Sequence, residues 1–139
     1  MITKGHFDGF YTYFATDGFT QGSTVSSWNQ LNAFAKQNNK IFIPSVGPGY
    51  SDTRIRPWNT ANQRGRENGQ YYERMFTSAM NLNPPLISIT SFNEWHEGTQ
   101  IEPSDPKRVP NFTYEDFTPH DPEFYLHKTK ELIDKYHPV

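Results

Sequence analysis

Two glutamates lie three positions apart in the stretch SFNEWHEG, residues 91–98, directly after an apolar run that is typical of a buried strand. Two carboxylates that converge on one cleft are the usual equipment of a glycosidase. One carboxyl donates a proton to the leaving group and the other acts as base or nucleophile, because their environments push their pKa values apart. We therefore expect Glu94 and Glu97 to be catalytic, with Trp95 and His96 supplying that environment.

The residues alone leave two further interpretations of this stretch open. Glutamates in a loop are more often solvated surface charges than catalytic groups. A zinc site is the second alternative, because His96-Glu97 matches the start of a zinc-protease helix. That motif needs a second histidine four residues after the first, and position 100 is Gln. We therefore predict no metal and no cofactor.

Composition narrows the class of partner. Aromatic residues make up 16% of the 139 residues, and their flat rings suit stacking on sugars or bases, although an aromatic-rich core would give the same composition. A formal net charge of −2 argues against a nucleic-acid partner, since phosphate binding needs a basic field. The chain has no cysteine, which excludes disulfides and thiolate zinc sites, and no apolar run as long as a bilayer span.

The elements that must position the glutamates alternate along the chain. Predicted strands cover residues 9–15, 40–46 and 86–92, and predicted helices cover residues 26–39, 70–82 and a segment that begins near Pro122. Pro44 has no N–H to donate, so we expect pairing to weaken within the second strand. Strands separated by helices pair in parallel, so the predicted fold class is α/β.

Each predicted helix carries a start signal or an apolar stripe. Ser26 or Ser27 is a candidate cap for the first helix, and Asp121 followed by Pro122 is a candidate start for the third. The three stripes are Trp28, Leu31 and Ala35; Tyr72, Met75, Phe76, Ala79 and Met80; and Leu126, Ile133 and Tyr136. The Pro-rich segment 103–122 is predicted to be irregular.

Chemistry in α/β folds lies at the C-terminal ends of the strands. Alternation along the third strand predicts that Ile87 and Ile89 pack on helices, whereas Thr90 and Phe92 face the interior. Glu94 then lies at the mouth of that interior, and Gly98 eases the turn that follows.

Two other strand ends carry candidate site residues. Tyr11 and Tyr13 alternate onto one face of the first strand. The long loop over residues 47–69 carries Arg54 and Arg56 ahead of Trp58. An arginine there could bind a polyol or steady a carboxylate, or could equally be a solvated loop charge.

Four segments of this sequence occur together, and in this order, in one known family. GFYTYFATDGF (9–19), IPSVGPGYSDTRIRPWN (43–59), NGQYYE (68–73) and SFNEWHEGTQIEP (91–103) resemble the motifs of glycoside hydrolase family 99, the endo-α-1,2-mannosidases. The resemblance implies a (β/α)8 barrel, of which residues 1–139 would form a partial catalytic domain, roughly the last four βα units and thus the C-terminal half. It also implies a lumenal Golgi protein held at the membrane only by an anchor upstream of this chain.

The resemblance also assigns roles to residues. It implies cleavage of internal α-1,2-mannosidic bonds in glucosylated high-mannose N-glycans, with retention of configuration and without a metal. Glu94 matches the family's base toward the substrate 2-hydroxyl, and Glu97 matches the general acid/base at the glycosidic oxygen. Tyr13, Arg56 and Asn93 match positions that line the same subsite, and Trp95 and His96 are counted with these substrate-binding residues. A non-catalytic carbohydrate-binding half-barrel or an inactive fragment is the alternative.

Overall fold

A computed structural model describes residues 2–105 and 108–136, and its elements follow the predicted alternation. Helix α1 spans Trp28–Gln37, α2 spans Gln70–Met80 and α3 spans Phe124–Tyr136. The strands are β1 (Gly9–Tyr11), β2 (Ile41–Ile43), β3 (Ser45–Val46), β4 (Ser88–Ile89), β5 (Arg108–Val109) and β6 (Phe112–Thr113). Short 3₁₀ turns cover Val25–Ser27, Thr60–Asn62, Glu67–Gly69 and Trp95–Glu97.

Parallel pairing joins the strands that are separated by helices, which confirms the α/β class. β1 pairs with β2 in the register Gly9 to Ile41, and β3 pairs with β4 in the register Ser45 to Ser88. Pro44 stands between β2 and β3, where the chain changes its pairing partner. The missing N–H of proline explains why the predicted strand over residues 40–46 is divided at this point.

The hydrophobic core lies between these strands and the three helices. Helix α2 contributes its buried face, and Trp28 of α1 and Leu132 of α3 pack into the same cluster as Phe42 and Val46 of the strands. The buried residues of α2 are Tyr71, Tyr72, Met75, Phe76 and Ala79. This confirms most of the predicted stripe, since Met80 is partly buried and packs against the same cluster.

Two details of the helix predictions are wrong. Ser27 occupies the N-cap of α1, but its side chain makes no cap hydrogen bond, because the preceding 3₁₀ turn holds it at helical φ −83° and ψ −14°. The third helix begins at Phe124 rather than Pro122, although the Asp121 carboxylate does accept from the N–H of Glu123 at 2.8 Å.

The buried face of α3 also differs from the predicted stripe. Tyr125, Thr129 and Leu132 are buried, whereas Ile133 remains 45% exposed. Thr129 can lie inside because its hydroxyl donates to the Tyr125 carbonyl at 2.6 Å and is 3.0 Å from the Tyr72 hydroxyl. The predicted stripe contained only apolar residues and so missed a face that includes a satisfied threonine.

A short hairpin interrupts the segment predicted to be irregular. β5 and β6 pair antiparallel, with Asn111 in the connecting turn at φ 65°. Each strand is only two residues long, so the sequence shows no alternation that would predict it. No helix in the described part of the chain is long and apolar enough to span a membrane.

The C-terminal ends of the three parallel strand segments converge. A Cβ at Gly47 would lie 2.2 Å from the Cβ of Ala15 and 2.4 Å from the carbonyl oxygen of Thr90, so only glycine fits there. The Thr90 hydroxyl donates to the carbonyl of Tyr13. As predicted, Ile87 and Ile89 pack against the core cluster. The loops that carry the candidate site residues therefore leave the sheet from one place.

Candidate active site

Residues 94–98 form a tight turn after β4, here named the carboxylate turn. The hydroxyl of Ser91 accepts from the N–H of Glu94 at 2.8 Å, and the Glu94 carbonyl accepts from the N–H of Glu97 at 3.3 Å. Gly98 ends the turn at φ 60°, where a Cβ would lie 3.1 Å from the backbone nitrogen of Ser51. The sequence prediction of a glycine-assisted turn between the glutamates and the next segment is confirmed.

Glu97 lies in an environment that raises the pKa of its carboxyl. Its side chain is 17% exposed, and its Oε1 lies 3.7 Å from Arg56 Nη1. Burial raises the pKa of Glu97 above its usual value, the charges of Glu94 and Asp52 raise it further, and Arg56 opposes them. A half-buried carboxyl beside a second carboxyl can serve as a general acid near neutral pH.

Glu94 is held differently. It stands at the N-cap of the 3₁₀ turn, and its Oε1 accepts from the backbone N–H of His96 at 3.3 Å. This bond fixes the carboxylate against the turn that also carries Glu97. The two glutamates therefore differ in their surroundings, which is the arrangement that acid–base pairs require.

Tyr13 approaches both glutamates from the end of β1. Its side chain is 43% exposed, and burial followed by the charges of Glu97 and Glu94 raises the pKa of its phenol. The structure thus brings Tyr13 and Arg56 to the carboxyls of the carboxylate turn, as the sequence predicted. Their roles toward a substrate stay predictions.

Among the remaining predicted site residues, Trp95 and His96 lie on the same turn and Asn93 directly precedes it, but all three make contacts elsewhere. His96 is exposed, and its Nδ1 is 2.8 Å from Arg54 Nη1. The indole N–H of Trp95 donates to Glu102 at 2.8 Å. Asn93 is exposed, and its carbonyl accepts from the N–H of Trp95 at 3.0 Å. These contacts turn the Trp95 and His96 side chains toward neighbours other than Glu97.

A cavity of about 380 Å³ opens on that side of the turn. It is lined by Trp95, His96, Asp105 and Tyr114. The guanidinium of Arg54 lies 4.6 Å from the centre of the Tyr114 ring and hydrogen-bonds its hydroxyl. Sequence reasoning placed Arg54 near the site but missed Tyr114, which is 60 residues away along the chain.

Asp52 is a buried residue of the site that the sequence analysis did not single out. Its side chain is 0% exposed. Asn59 Nδ2 donates to both carboxylate oxygens at 2.9 Å, and Arg56 Nη1 donates to Oδ2 at 2.9 Å. Although burial by itself would raise the pKa of Asp52, hydrogen bonds from Asn59, Arg56 and Tyr50 lower it. The spacing of four between Asp52 and Arg56 was the available signal.

The described residues contain no group of three or more His, Asp or Glu side chains placed to hold a metal ion. What the site brings together is a set of carboxyls, a phenol and a guanidinium. The pKa of one carboxyl is raised, the second carboxyl accepts from a backbone N–H, and a tyrosine and an arginine border them. This set can move a proton to and from a bound polyol.

Known proteins resemble this chain along nearly its whole length. A profile of glycosyl hydrolase family 99 matches residues 1–138. Glycoprotein endo-alpha-1,2-mannosidase of Rattus norvegicus is 59% identical over 135 residues, which cover 97% of this chain and 29% of that protein. The glycoprotein endo-alpha-1,2-mannosidase-like protein of Homo sapiens is 52% identical over 144 residues, which cover 98% of this chain and 32% of that protein. The chain thus spans about a third of the length of these relatives.

A solved structure gives the same result. The endo-alpha-mannosidase of this family from Bacteroides thetaiotaomicron superposes with a TM-score of 0.94 at 52% identity. The match covers 99% of this chain and 40% of that one.

Proposed function

This chain belongs to glycosyl hydrolase family 99, and we propose that it carries the catalytic glutamates of an endo-α-1,2-mannosidase acting on glucosylated high-mannose N-glycans. One observation carries the proposal: Glu97 is a half-buried carboxyl whose pKa is raised by burial and by Glu94, at the C-terminal edge of parallel strands. The name of the rat relative, glycoprotein endo-alpha-1,2-mannosidase, supplies the type of bond that is cleaved, and the glucosylated high-mannose glycan is what the motif resemblance implies.

Residues 1–139 form roughly the last four βα units of a (β/α)8 barrel in this proposal, that is, the C-terminal half of its catalytic domain. The described residues supply strand–helix units in chain order, from β1 with α1, through β2 and β3 with α2, to β4 with α3. Neighbouring strands of these units pair in parallel, as successive strands of such a barrel do. The share of the relatives that the chain covers fits a part of such a domain.

The reaction proceeds in two steps at one sugar carbon. Glu97 gives its proton to the glycosidic oxygen as the bond from that oxygen to C1 breaks. Glu94 takes the proton of the 2-hydroxyl, whose oxygen attacks C1 from the opposite face and closes a 1,2-anhydro sugar. Water then attacks C1 as the bond from C1 to the 2-oxygen breaks, Glu97 takes a proton from that water, and Glu94 returns its proton to the 2-oxygen. Two inversions at C1 retain the configuration.

The bordering residues bind and orient the sugar in this scheme. Tyr13 and Arg56 lie beside the carboxyls and can hydrogen-bond its hydroxyls, and Asn93 completes the same subsite. Trp95 and His96 line the cavity on the other side of the carboxylate turn. The binding partner in this proposal is the glycan substrate. The protein lies on the lumenal side of the Golgi membrane, where an anchor upstream of this chain holds it.

A carbohydrate-binding half-barrel without activity is the second candidate. Exposed rings favour it, since Trp58 is 79% exposed and Tyr11 is 63% exposed, and such rings can stack on sugars. Binding without hydrolysis would be its signature. An inactive fragment would neither bind nor hydrolyse the glycan.

The test is hydrolysis of a glucosylated mannose oligosaccharide by the protein as encoded, with any flanking sequence that its gene supplies. NMR of the first product should show the retained anomer. Glu94→Gln should abolish turnover while binding stays measurable, because the amide keeps the shape and loses the basicity. A glycosyl ester trapped on Glu94 would show that it attacks C1 directly, and unchanged turnover in the variant would remove Glu94 from the mechanism.

A further inference from the structure

We propose that Asp52 is a positioning residue, which holds the Arg56 guanidinium to itself so that this cation does not pair closely with Glu97. The same nitrogen, Arg56 Nη1, is 2.9 Å from Asp52 Oδ2 and 3.7 Å from Glu97 Oε1. The contact with Asp52 is a charge-assisted hydrogen bond, whereas the contact with Glu97 is a longer ion pair. The consequence for catalysis rests on the proposed function, in which Glu97 is the acid, whereas the positioning itself rests on the contacts.

Local structure explains why Asp52 holds the cation. The carbonyl of Asp52 accepts from the N–H of Arg56 at 2.8 Å, which closes one turn of backbone between them. Asn59 also donates to both oxygens of the carboxylate, so Arg56 and Asn59 share one buried anion. Asp52 is fully buried and Arg56 is 45% exposed, so the guanidinium extends from a rigid support toward solvent and Glu97.

Among the described residues, the charged or titratable groups that act on Glu97 belong to three segments. They are Glu94 on the carboxylate turn, Tyr13 after β1, and Tyr50, Asp52 and Arg56 on the loop after β3. Among the charges, Glu94 and Asp52 favour the protonated form of Glu97, and only Arg56 favours the ionised form. The position of Arg56 therefore sets how strongly the effects of burial and of the two carboxylates on Glu97 are opposed.

Removing the charge of Asp52 would favour the ionised form of Glu97 in two ways. The negative charge that disfavours ionisation of Glu97 would be lost. Arg56 would also lose its charged partner, and Glu97 would become its nearest carboxylate within the described residues. Both changes stabilise ionised Glu97, so its pKa falls and it surrenders its proton at a lower pH.

Carbon-13 NMR of labelled glutamate carboxyls tests this in the protein as encoded, with the Glu97 signal assigned by its loss in Glu97→Gln. Asp52→Asn should lower the midpoint of the Glu97 titration by about one pH unit. Asn59→Ala is the matched control, because it removes a donor to Asp52 but keeps the charge and its bond to Arg56. It should leave the midpoint where it is in the wild type.

The pH–rate profile gives a second measurement. In Asp52→Asn the alkaline limb should move down with the titration, whereas a merely structural role would lower the rate equally at every pH. A shifted titration without any hydrolysis would uphold the positioning role and reject the proposed function. An unshifted Glu97 midpoint in folded Asp52→Asn would overturn the inference.

A second variant covers the case in which Asp52→Asn does not fold. Arg56→Gln removes the cation itself, which opposes protonation of Glu97 more strongly than Asp52 promotes it. The midpoint should therefore rise in Arg56→Gln, opposite to the shift in Asp52→Asn. An unchanged or lowered midpoint in this variant would show that Arg56 does not control Glu97.

Discussion

Arg66 Nη2 donates to the carbonyl of Gly98 at 3.0 Å and so ties the carboxylate turn to the loop that precedes α2. The same nitrogen donates to the carbonyl of Gln100 at 2.9 Å. The side chain is 9% exposed, and its guanidinium lies 4.9 Å and 4.7 Å from the ring centres of Phe117 and Tyr125. Arg66 therefore supports the carboxylate turn at its C-terminal end.

Replacing Arg66 with methionine should loosen the carboxylate turn. The variant keeps the apolar stem but leaves two buried carbonyls without their charged donor, so we expect a loss of about 2–4 kcal/mol in the free energy of unfolding. Turnover should also fall, since small displacements of catalytic groups cost rate. Urea unfolding and hydrolysis assays of the protein as encoded measure the two effects.

Arg74→Met is the matched control for this variant. Arg74 also forms an ion pair, with Glu67 at 2.8 Å, but its side chain is 56% exposed and that of Glu67 is 48% exposed. Exposed pairs contribute little, so stability should change by no more than about 0.5 kcal/mol. Equal losses of unfolding free energy in Arg66→Met and Arg74→Met would mean that the bonds from Arg66 to the turn do not stabilise the protein.

Glu97→Gln should reveal the acid by its dependence on the leaving group. Without a proton donor at the glycosidic oxygen, turnover of the natural glycan should fall at least about 10²-fold. A substrate with an activated aryl leaving group needs little protonation, so its loss should be much smaller. Equal losses on the two substrates would contradict the acid role.

The same variant should be more stable than the wild type at neutral pH. The pKa of Glu97 is raised in the folded protein, first by burial and then by Glu94, so ionising it costs more in the folded state than in the unfolded chain. That cost is absent below about pH 4, where both states are protonated, and grows as the pH rises through the folded pKa. Thermal unfolding should therefore give Glu97→Gln the higher Tm near about pH 7, with no difference near about pH 4.

Glu67→Gln provides a control of opposite sign. The hydrogen bond from Arg74 lowers the pKa of Glu67, so its ionised form is favoured in the folded protein. Its stabilising effect is present above the unfolded pKa and is lost as the pH falls through the folded one. The glutamine variant should therefore gain no stability at neutral pH. A Glu97→Gln protein that also gained none would contradict the raised pKa of Glu97.

The sequence predicted the α/β order and the position of the glutamates because both depend on local signals. Alternation, helical spacing and the proline at position 44 act over a few residues, and β4 with its following turn lies in one continuous segment. Strand-end reasoning offered Tyr11, Tyr13, Arg54 and Arg56 as candidates, and the motif resemblance selected Tyr13 and Arg56 among them.

The supports of the site could not be predicted in the same way. Arg66 meets Gly98 and Gln100 across 32 and 34 residues, a distance at which no periodic pattern links the partners. Asp52 resembles an ordinary loop aspartate until its burial is known. Thr129 lies on the buried face of α3 because the Tyr125 carbonyl and the Tyr72 hydroxyl satisfy its hydroxyl. Burial and long-range hydrogen bonding decide these roles, and neither can be read along one chain segment.

The described residues leave apolar surface uncovered, which the rest of the proposed barrel would cover. Among the described residues, β1 pairs only with β2 and β4 pairs only with β3, so each has a free edge. Tyr11 is 63% exposed, Leu86 57% and Phe92 55%. An apolar cavity of about 210 Å³ beside β4 includes Leu86 and Ile133 in its lining.

Produced alone, residues 1–139 should be neither a well-packed monomer nor an efficient enzyme. The free energy of unfolding of a domain is only about 5–15 kcal/mol. Each Å² of apolar surface that stays exposed lacks a stabilisation of about 25 cal/mol that burial would supply. The chain should therefore self-associate or pack loosely, as size-exclusion chromatography and near-UV circular dichroism would show. Leu86→Lys should reduce the association, whereas Ile55→Lys, on the loop after β3 and 43% exposed, should not. A monodisperse monomer with a sharp near-UV spectrum and normal turnover would mean that these residues need no further barrel around them.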